Sequence, residues 1–282
     1  MTAAVREGRP GPDRRRGRWR RASQLSIAAL YLALPLANGA GLRRVLGSLA
    51  STQLGPVDLV EPAAALSAAL AGGLRAPLLS LAAGAAPLAL LAFVLGPVFC
   101  AWICPFGLLS EGIDLLRRRR GWRAGAHTRV RTVCAATLAA VAVLSAALAL
   151  PLGAILQGPR AVTVAALEVL YLGAISSFAA AVLGGLLFLD VILPRRLFCR
   201  ALCPAGAVAN YLRTPRTLRI AVDGSRCRCS EPPCHAACPW GVDPRTAGRA
   251  DGCTNCLACV DACPSGALRA TFSPRPRPPG DP

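Results

Sequence analysis

Four stretches of the chain are apolar almost without interruption: residues 22–42, 76–99, 132–156 and 170–193. Each approaches or exceeds the roughly 20 residues that a helix needs to cross the hydrocarbon core of a bilayer. They predict four transmembrane helices, the first with a kink at Pro35. A charged start followed by an apolar run also describes a signal peptide. The length of the run and the spans that follow favour an uncleaved anchor. Between the first two stretches, residues 43–75 hold Gly55-Pro56 and an Ala/Leu-rich segment that ends at Leu70. That segment is too short to span and predicts an interfacial helix. Residues 157–169 read as a short outer loop. Pro105 disfavours helix at Cys104 and suits the first turn of a new one. An amphipathic helix is therefore expected to leave the second span along the membrane surface, ending in Arg117–Arg120. Residues 217–222 alternate enough for a short strand, and 267–272 read as a strand that closes it. The polar residues 1–21 and the Pro-rich residues 273–282 read as disordered.

Charge turns these spans into a topology. The net charge is +18, and every basic residue is Arg. Eight arginines lie in residues 1–21 and seven in 105–131, against three in 43–75 and one in 157–169. The positive-inside rule then places both termini on the cytoplasmic side of a bacterial inner membrane. Arginines grouped at the ends of apolar runs serve orientation, so the charge does not indicate a nucleic-acid partner. With 54% hydrophobic residues and a mean hydropathy of +0.47, the chain lies outside the usual range of soluble domains.

Twelve of the 13 cysteines fall in clustered or paired motifs. Cys253, Cys256, Cys259 and Cys263-Pro264 have the spacing of a bacterial ferredoxin run, in which thiolates hold [4Fe–4S] clusters. A structural zinc site more often uses two separated Cys pairs. Upstream, Cys227, Cys229, Cys234 and Cys238-Pro239 form a second run, regular at its end and irregular at its front. Crossover ligation assigns Cys227, Cys229, Cys234 and Cys263 to one cluster, and Cys253, Cys256, Cys259 and Cys238 to the other. Two such clusters imply about eight irons. Their thiols need a reducing compartment, which agrees with the arginine count.

The remaining motif is duplicated. Cys100–Gly107 and Cys199–Gly206 share Cys-x-x-x-Cys-Pro-x-Gly. Each follows a Gly-Pro (Gly55-Pro56, Gly158-Pro159), an amphipathic stretch and a span. Two parallel two-helix repeats related by an axis along the membrane normal are expected to bring both cysteine pairs together. For Cys100, Cys104, Cys199 and Cys203, three active readings stay open: a third cluster, redox disulfides, or a soft metal such as Cu(I). Simple packing is the fourth reading, and it is the one assigned to Cys134. Asp190 is an acid inside the fourth span, where ionisable groups mark functional positions or snorkel towards neighbouring arginines. Glu111 and Asn210 each lie eleven residues after the first Cys of their motif, facing either a quinone head-group or water. His127 and His235 are assigned no role.

Phe-Cys100-Ala-Trp-Ile-Cys104-Pro, Phe-Cys199-Arg-Ala-Leu-Cys203-Pro and the 253–264 run together resemble the NapH/MauN family of membrane ferredoxin-type proteins. That family serves periplasmic nitrate reductase and methylamine-utilisation systems. The resemblance covers about residues 20–272. It implies a quinol-linked electron-transfer subunit with two [4Fe–4S] clusters and a partner ferredoxin-type protein. The irregular spacing at Cys227–Cys234 departs from the pattern. Copper-linked oxidase assembly proteins share the membrane motifs but resemble the C-terminus less. The expected architecture is an α-helical membrane domain over 22–212, an α+β two-cluster ferredoxin unit over 213–272, and short tails at 1–21 and 273–282. The competing functions are a maturation factor that reduces copper or a disulfide for a partner oxidoreductase, and a scaffold whose cysteines hold structural metal.

Overall fold

The computed structural model describes residues 14–39, 45–48, 51–54, 57–73, 77–119, 129–193, 196–227, 233–245 and 252–272. Most of the basic N-terminal stretch, the Pro-rich tail and Cys229 lie outside the described residues.

Helix α1 (Arg14–Gly39) leads into a three-stranded antiparallel meander of β1 (Val45–Ser48), β2 (Ser51–Leu54) and β3 (Val57–Val60). Helices α2 (Pro62–Gly72), α3 (Leu78–Leu95), α4 (Val98–Trp102) and α5 (Pro105–Arg119) follow. The second half runs through α6 (Val130–Leu148), α7 (Leu152–Ile155), α8 (Gly158–Leu172), α9 (Ser177–Ile192), a π-helical turn (Phe198–Leu202) and α10 (Pro204–Tyr211). The C-terminal unit pairs β4 (Arg219–Val222) with β5 (Leu268–Thr271) around the short helices α11 (Pro233–Ala236) and α12 (Ala258–Asp261).

Among the described residues, α3 and α6 are the two helices long and apolar enough to cross a membrane. Only 6% and 22% of their apolar windows are buried in the protein, so their apolar faces point outward. A helix from a soluble core would do the reverse. Two of the four expected spans, the third and the fourth, are interrupted. Residues 132–156 break after α6, where Ala149 adopts a left-handed conformation and Pro151 opens α7. Residues 170–193 break at Gly173, also left-handed, and Ser176 caps the restart with its side chain on the Ala179 N–H. The apolar helix α9 that remains has 16 residues.

Two segments expected as outer loops are folded back into the helices. The first is the meander. A Cβ on Gly84 of α3 would lie 2.0 Å from the Asp58 carbonyl oxygen, so β3 lies directly on that helix. Polar backbone can enter apolar surroundings only if its hydrogen bonds are satisfied internally, and the strand ladder does this. The second is 157–169, which forms most of α8. Gly158 packs on Phe106, where a Cβ would come within 2.8 Å of the ring. Its place is therefore beside the first cysteine motif.

The C-terminal unit is fastened to the end of α3. The last carbonyls of a helix have no partners within it. Here the Thr217 hydroxyl donates to Phe93 O (2.7 Å), Leu218 N to Val94 O (2.9 Å) and Asn255 Nδ2 to Leu95 O (3.0 Å). Asn255 also bonds Leu218 O at 2.8 Å. These bonds set the ferredoxin-type run beside the cysteine motif that follows α3.

Candidate iron–sulfur centre

Both cysteine motifs make the same turn. In the first, the N–H of Cys104 donates to Phe99 O at 3.0 Å; in the second, Cys203 N donates to Phe198 O at 2.7 Å. Both bonds span five residues, a π-type closure. Pro105 and Pro204 then open α5 and α10, as proline does at the first helical position. The glycine two residues later is required by close approach. A Cβ on Gly107 would meet Cys100 O at 2.6 Å, and one on Gly206 would meet Cys199 O at 2.0 Å.

These turns bring all four cysteines together. Cys100, Cys104, Cys199 and Cys203 line one cavity with Phe99, Phe106, Gly107, Gly158, Pro159 and Ala205. Its volume is about 10 Å³. Each of the four is buried. Backbone N–H groups point at the sulfurs: Phe106 and Gly107 at Cys104, and Gly158, Ala205 and Gly206 at Cys203. These are the starts of α5, α8 and α10, where exposed N–H groups favour negative charge. Across the same region Gln157 Nε2 donates to Glu61 Oε2 at 2.5 Å. Glu61 and Gln157 are the N-caps of α2 and α8, and each helix opens with proline in its first turn. Glu61 and Gln157 thus hold matching N-cap positions; Gly55-Pro56, paired above with Gly158-Pro159, lies outside the described residues.

The described ferredoxin-type cysteines lie near one another, and Cys259 is close enough to feel Cys234 as well as Cys253, Cys256 and Cys238. Cys238 interacts electrostatically with Cys253, Cys256 and Cys259. Cys234 interacts with Cys263, and Arg245 lies close enough to feel both Cys227 and Cys234. Burial pushes the Cys256 thiol up to about 12. Metal binding must displace that proton. Cys263 goes the other way: burial opposes its ionisation, but hydrogen bonds from Ser265, Ala267 and Leu268 outweigh it and lower its pKa. Among the described residues no three His, Cys, Asp or Glu side chains converge tightly enough to hold a single metal ion. A lone zinc would need its sulfurs roughly 4 Å apart.

The two cysteine regions share one buried core. Cys104, Cys199, Cys203 and Cys256 belong to it, with Cys238 and Cys253 packed against it. Trp102 Nε1 donates to Asn255 O (3.3 Å), Arg213 to Cys253 O (3.0 Å) and Arg200 to Trp240 O (3.0 Å). The Arg196 guanidinium lies 5.0 Å from the centre of the Trp240 ring.

The other candidates do not line the four-cysteine cavity, although Asp190 is close enough to Cys199 to interact with it electrostatically. Glu111 is ion-paired with Arg20 (2.6 Å) and with Arg21 of α1. Asn210 turns back on its own repeat, donating to Arg200 O (2.8 Å) and Gly206 O (3.1 Å). Asp190 is buried near Ser110, Arg117 and Arg196. Cys134 is buried, with its sulfur 3.6 Å from Arg200 O. Sequence reasoning passed over Glu61, Gln157, Asn255 and Trp240. For Glu61 a signal existed: a lone acid before proline and an alanine-rich helix.

Comparisons with known proteins agree with this geometry. A family described as "4Fe-4S binding domain" matches residues 77–123 and 173–219, one motif in each. A second family of the same description matches 249–269. The methylamine utilization ferredoxin-type protein MauN of Methylorubrum extorquens is 28% identical over 252 residues, covering 86% of this chain and 73% of its own. The ferredoxin-type protein NapH of Haemophilus influenzae is 29% identical, covering 87% and 85%. Protein NirI of Paracoccus denitrificans is 31% identical, over 77% of this chain and 34% of its own. No solved structure matches. With the duplicated turn, the ferredoxin-type run and these relatives in agreement, the chain belongs to the NapH/MauN family of ferredoxin-type iron–sulfur proteins.

Proposed function

We propose that the protein is the membrane-anchored member of a quinol-oxidising electron-transfer chain. In this reading α1, α3, α6 and α9 cross a bacterial inner membrane. Both termini and both cysteine turns lie on the cytoplasmic side, and electrons leave through a partner ferredoxin-type protein. The observation that carries the proposal is that four buried cysteines from two repeats line one cavity, in a core shared with Cys256.

The donor set suits one [4Fe–4S] cluster held by Cys100, Cys104, Cys199 and Cys203: four buried thiols, with N–H groups at two of the sulfurs. Cys238, Cys253, Cys256 and Cys259 would hold a second cluster. Cys234 and Cys263, with Cys227 and Cys229, would hold a third. Such clusters supply one-electron steps, which quinol oxidation requires. The chain's own residues do the rest. The starts of α5, α8 and α10 favour negative charge on the sulfurs. The closely packed turns exclude water, which would otherwise screen those charges. Trp102, Arg200 and Arg213 hold the ferredoxin unit against the turns. Arg196 lies over Trp240 and near Cys199, where it adds positive charge.

The test is anaerobic mixing of the purified, reconstituted chain with a short-chain quinol. Bleaching of the iron–sulfur absorbance is expected. Absence of bleaching in a fully loaded protein contradicts the quinol reading. Tight copper uptake by the membrane cysteines in place of iron would support a maturation factor instead. Reporter fusions after Arg120 and after Pro282 should both report cytoplasm.

A further inference from the structure

Next to the four-cysteine cavity lies a larger one. Its volume is about 110 Å³, of the order of the apolar cavity of about 150 Å³ that takes up a benzene ring. Its walls include Leu91, Leu95, Val98, Ile103 and Val208. Phe99 and Ala205 line both cavities, so the two cavities adjoin across these side chains. Leu91, on the α3 side, is 45% exposed, so the mouth opens on the outward apolar face of that helix.

One lining residue is ionisable. Glu61 is 91% buried, its relative exposure being 9%. Its Oε2 takes all of its hydrogen bonds, from Ala63 N (2.9 Å), Ala64 N (3.0 Å) and Gln157 Nε2 (2.5 Å). Oε1 has no partner among the described residues. Capping α2 explains Oε2. It does not explain why the cap is a glutamate, since Ser, Asp or Asn caps at least as well. Burial pushes the Glu61 carboxyl up to about 7. A carboxyl whose ionised form is held at a cost in an apolar wall marks a functional position.

We propose that this cavity binds the quinol ring, with a ring hydroxyl donating to Glu61 Oε1 and the isoprenoid tail leaving along α3. The proposal rests on the quinol reading above and adds the site to it. A flat ring with polar groups at opposite ends matches an apolar slot that has one acceptor. The position behind Phe99 and Ala205 sets the ring next to the four cysteines. Glu111, Asp190 and Asn210 do not line this cavity, so the head-group contact moves from them to Glu61.

The test uses the full chain in nanodiscs and a fluorescent quinol-site ligand of the hydroxyquinoline N-oxide class, with quenching on binding as the readout. Wild type should bind it. E61A, which removes the acceptor, should raise the Kd by about tenfold or more, the loss expected of a buried hydrogen bond to a charged group. E61Q keeps a capping oxygen and controls for folding; it should fall between the two. A92F fills the cavity from α3 and should abolish binding with Glu61 intact. Binding that survives both E61A and A92F places the quinol elsewhere and overturns the proposal. Loss in A92F with no change in E61A leaves an apolar slot fit for a lipid chain and overturns the role of Glu61. No binding by wild type overturns the quinol reading itself.

Discussion

At Cys104 and Cys203 the backbone does the same thing twice, yet the side chains around the two turns have diverged. Eleven residues into the first motif, Glu111 reaches out to Arg20 and Arg21 of α1. At the matching place in the second, Asn210 folds back onto Arg200 O and Gly206 O. After the proline, Phe106 fills the space against Gly158 and packs its ring 5.2 Å from that of Phe198. Its counterpart Ala205 leaves room, and both cavities reach it. The N-caps differ by one group: Glu61 carries a carboxylate and Gln157 an amide, and they bond each other. Repetition brings the four sulfurs to one cavity, and divergence changes what surrounds each turn. The first meets the apolar cavity through Phe99 and Ile103, the second through Ala205. Both reach the ferredoxin unit, the first through Trp102 and the second through Arg200.

If the turns form one site, their cysteines fail together. C100S should lower quinol-dependent electron transfer by at least about 100-fold, and C100S/C199S should be little worse, because residues acting as a unit are not additive. Steady-state reduction of an acceptor measures this. Modest single effects that multiply in the double variant would show that the pairs work separately.

The shared backbone can be broken at its glycines. G206A and G107A each force a methyl group against a carbonyl oxygen. Overpacking of this kind costs roughly 1–3 kcal/mol. The approach at Gly206, 2.0 Å, is tighter than the 2.6 Å at Gly107, so G206A should be the more damaging. Thermal denaturation in detergent ranks them; equal tolerance of both would mean that the turns are not closed as described.

The smallest effect separates Glu111 from Asn210. Burial opposes ionisation of Glu111, but the Arg21 hydrogen bonds and the charges of Arg20 and Arg21 outweigh it, so its pKa lies below the usual carboxylate value. A depressed folded-state pKa stabilises at pH above the unfolded value, and the stabilisation is lost as pH falls through the folded one. E111Q should therefore cost about 1–2 kcal/mol at neutral pH. The difference should shrink on acidification below the ordinary carboxylate range. N210A should show no such pH dependence. Melting curves of the three proteins from neutral to acidic pH test both statements.

Much of this arrangement was legible in the sequence. Cysteine spacing carries ligand chemistry directly, so the 253–263 run and the duplicated octapeptide could be read without coordinates. The strand at 219–222 and its partner at 268–271 were likewise visible as alternation. Apolar runs were less informative. Hydropathy could not show that Ala149-Pro151 and Gly173-Ser176 interrupt two of them, because small apolar residues continue through both breaks. The meander at 45–60 was hidden because its strands are stabilised by each other and by Gly84. Glu61 was missed for a related reason. Gly-Pro is the conspicuous pair in the sequence, whereas Glu61 and Gln157 share a helix N-cap with proline within the next two positions.

The central claim is that Cys100, Cys104, Cys199 and Cys203 form one cluster-binding site, and iron counting addresses it most directly. Anaerobically reconstituted wild type should hold about twelve irons and twelve acid-labile sulfides. C199S should hold about eight of each, with the ferredoxin-unit signals unchanged in electron paramagnetic resonance. A wild-type content near eight that C199S leaves unaltered would contradict the claim.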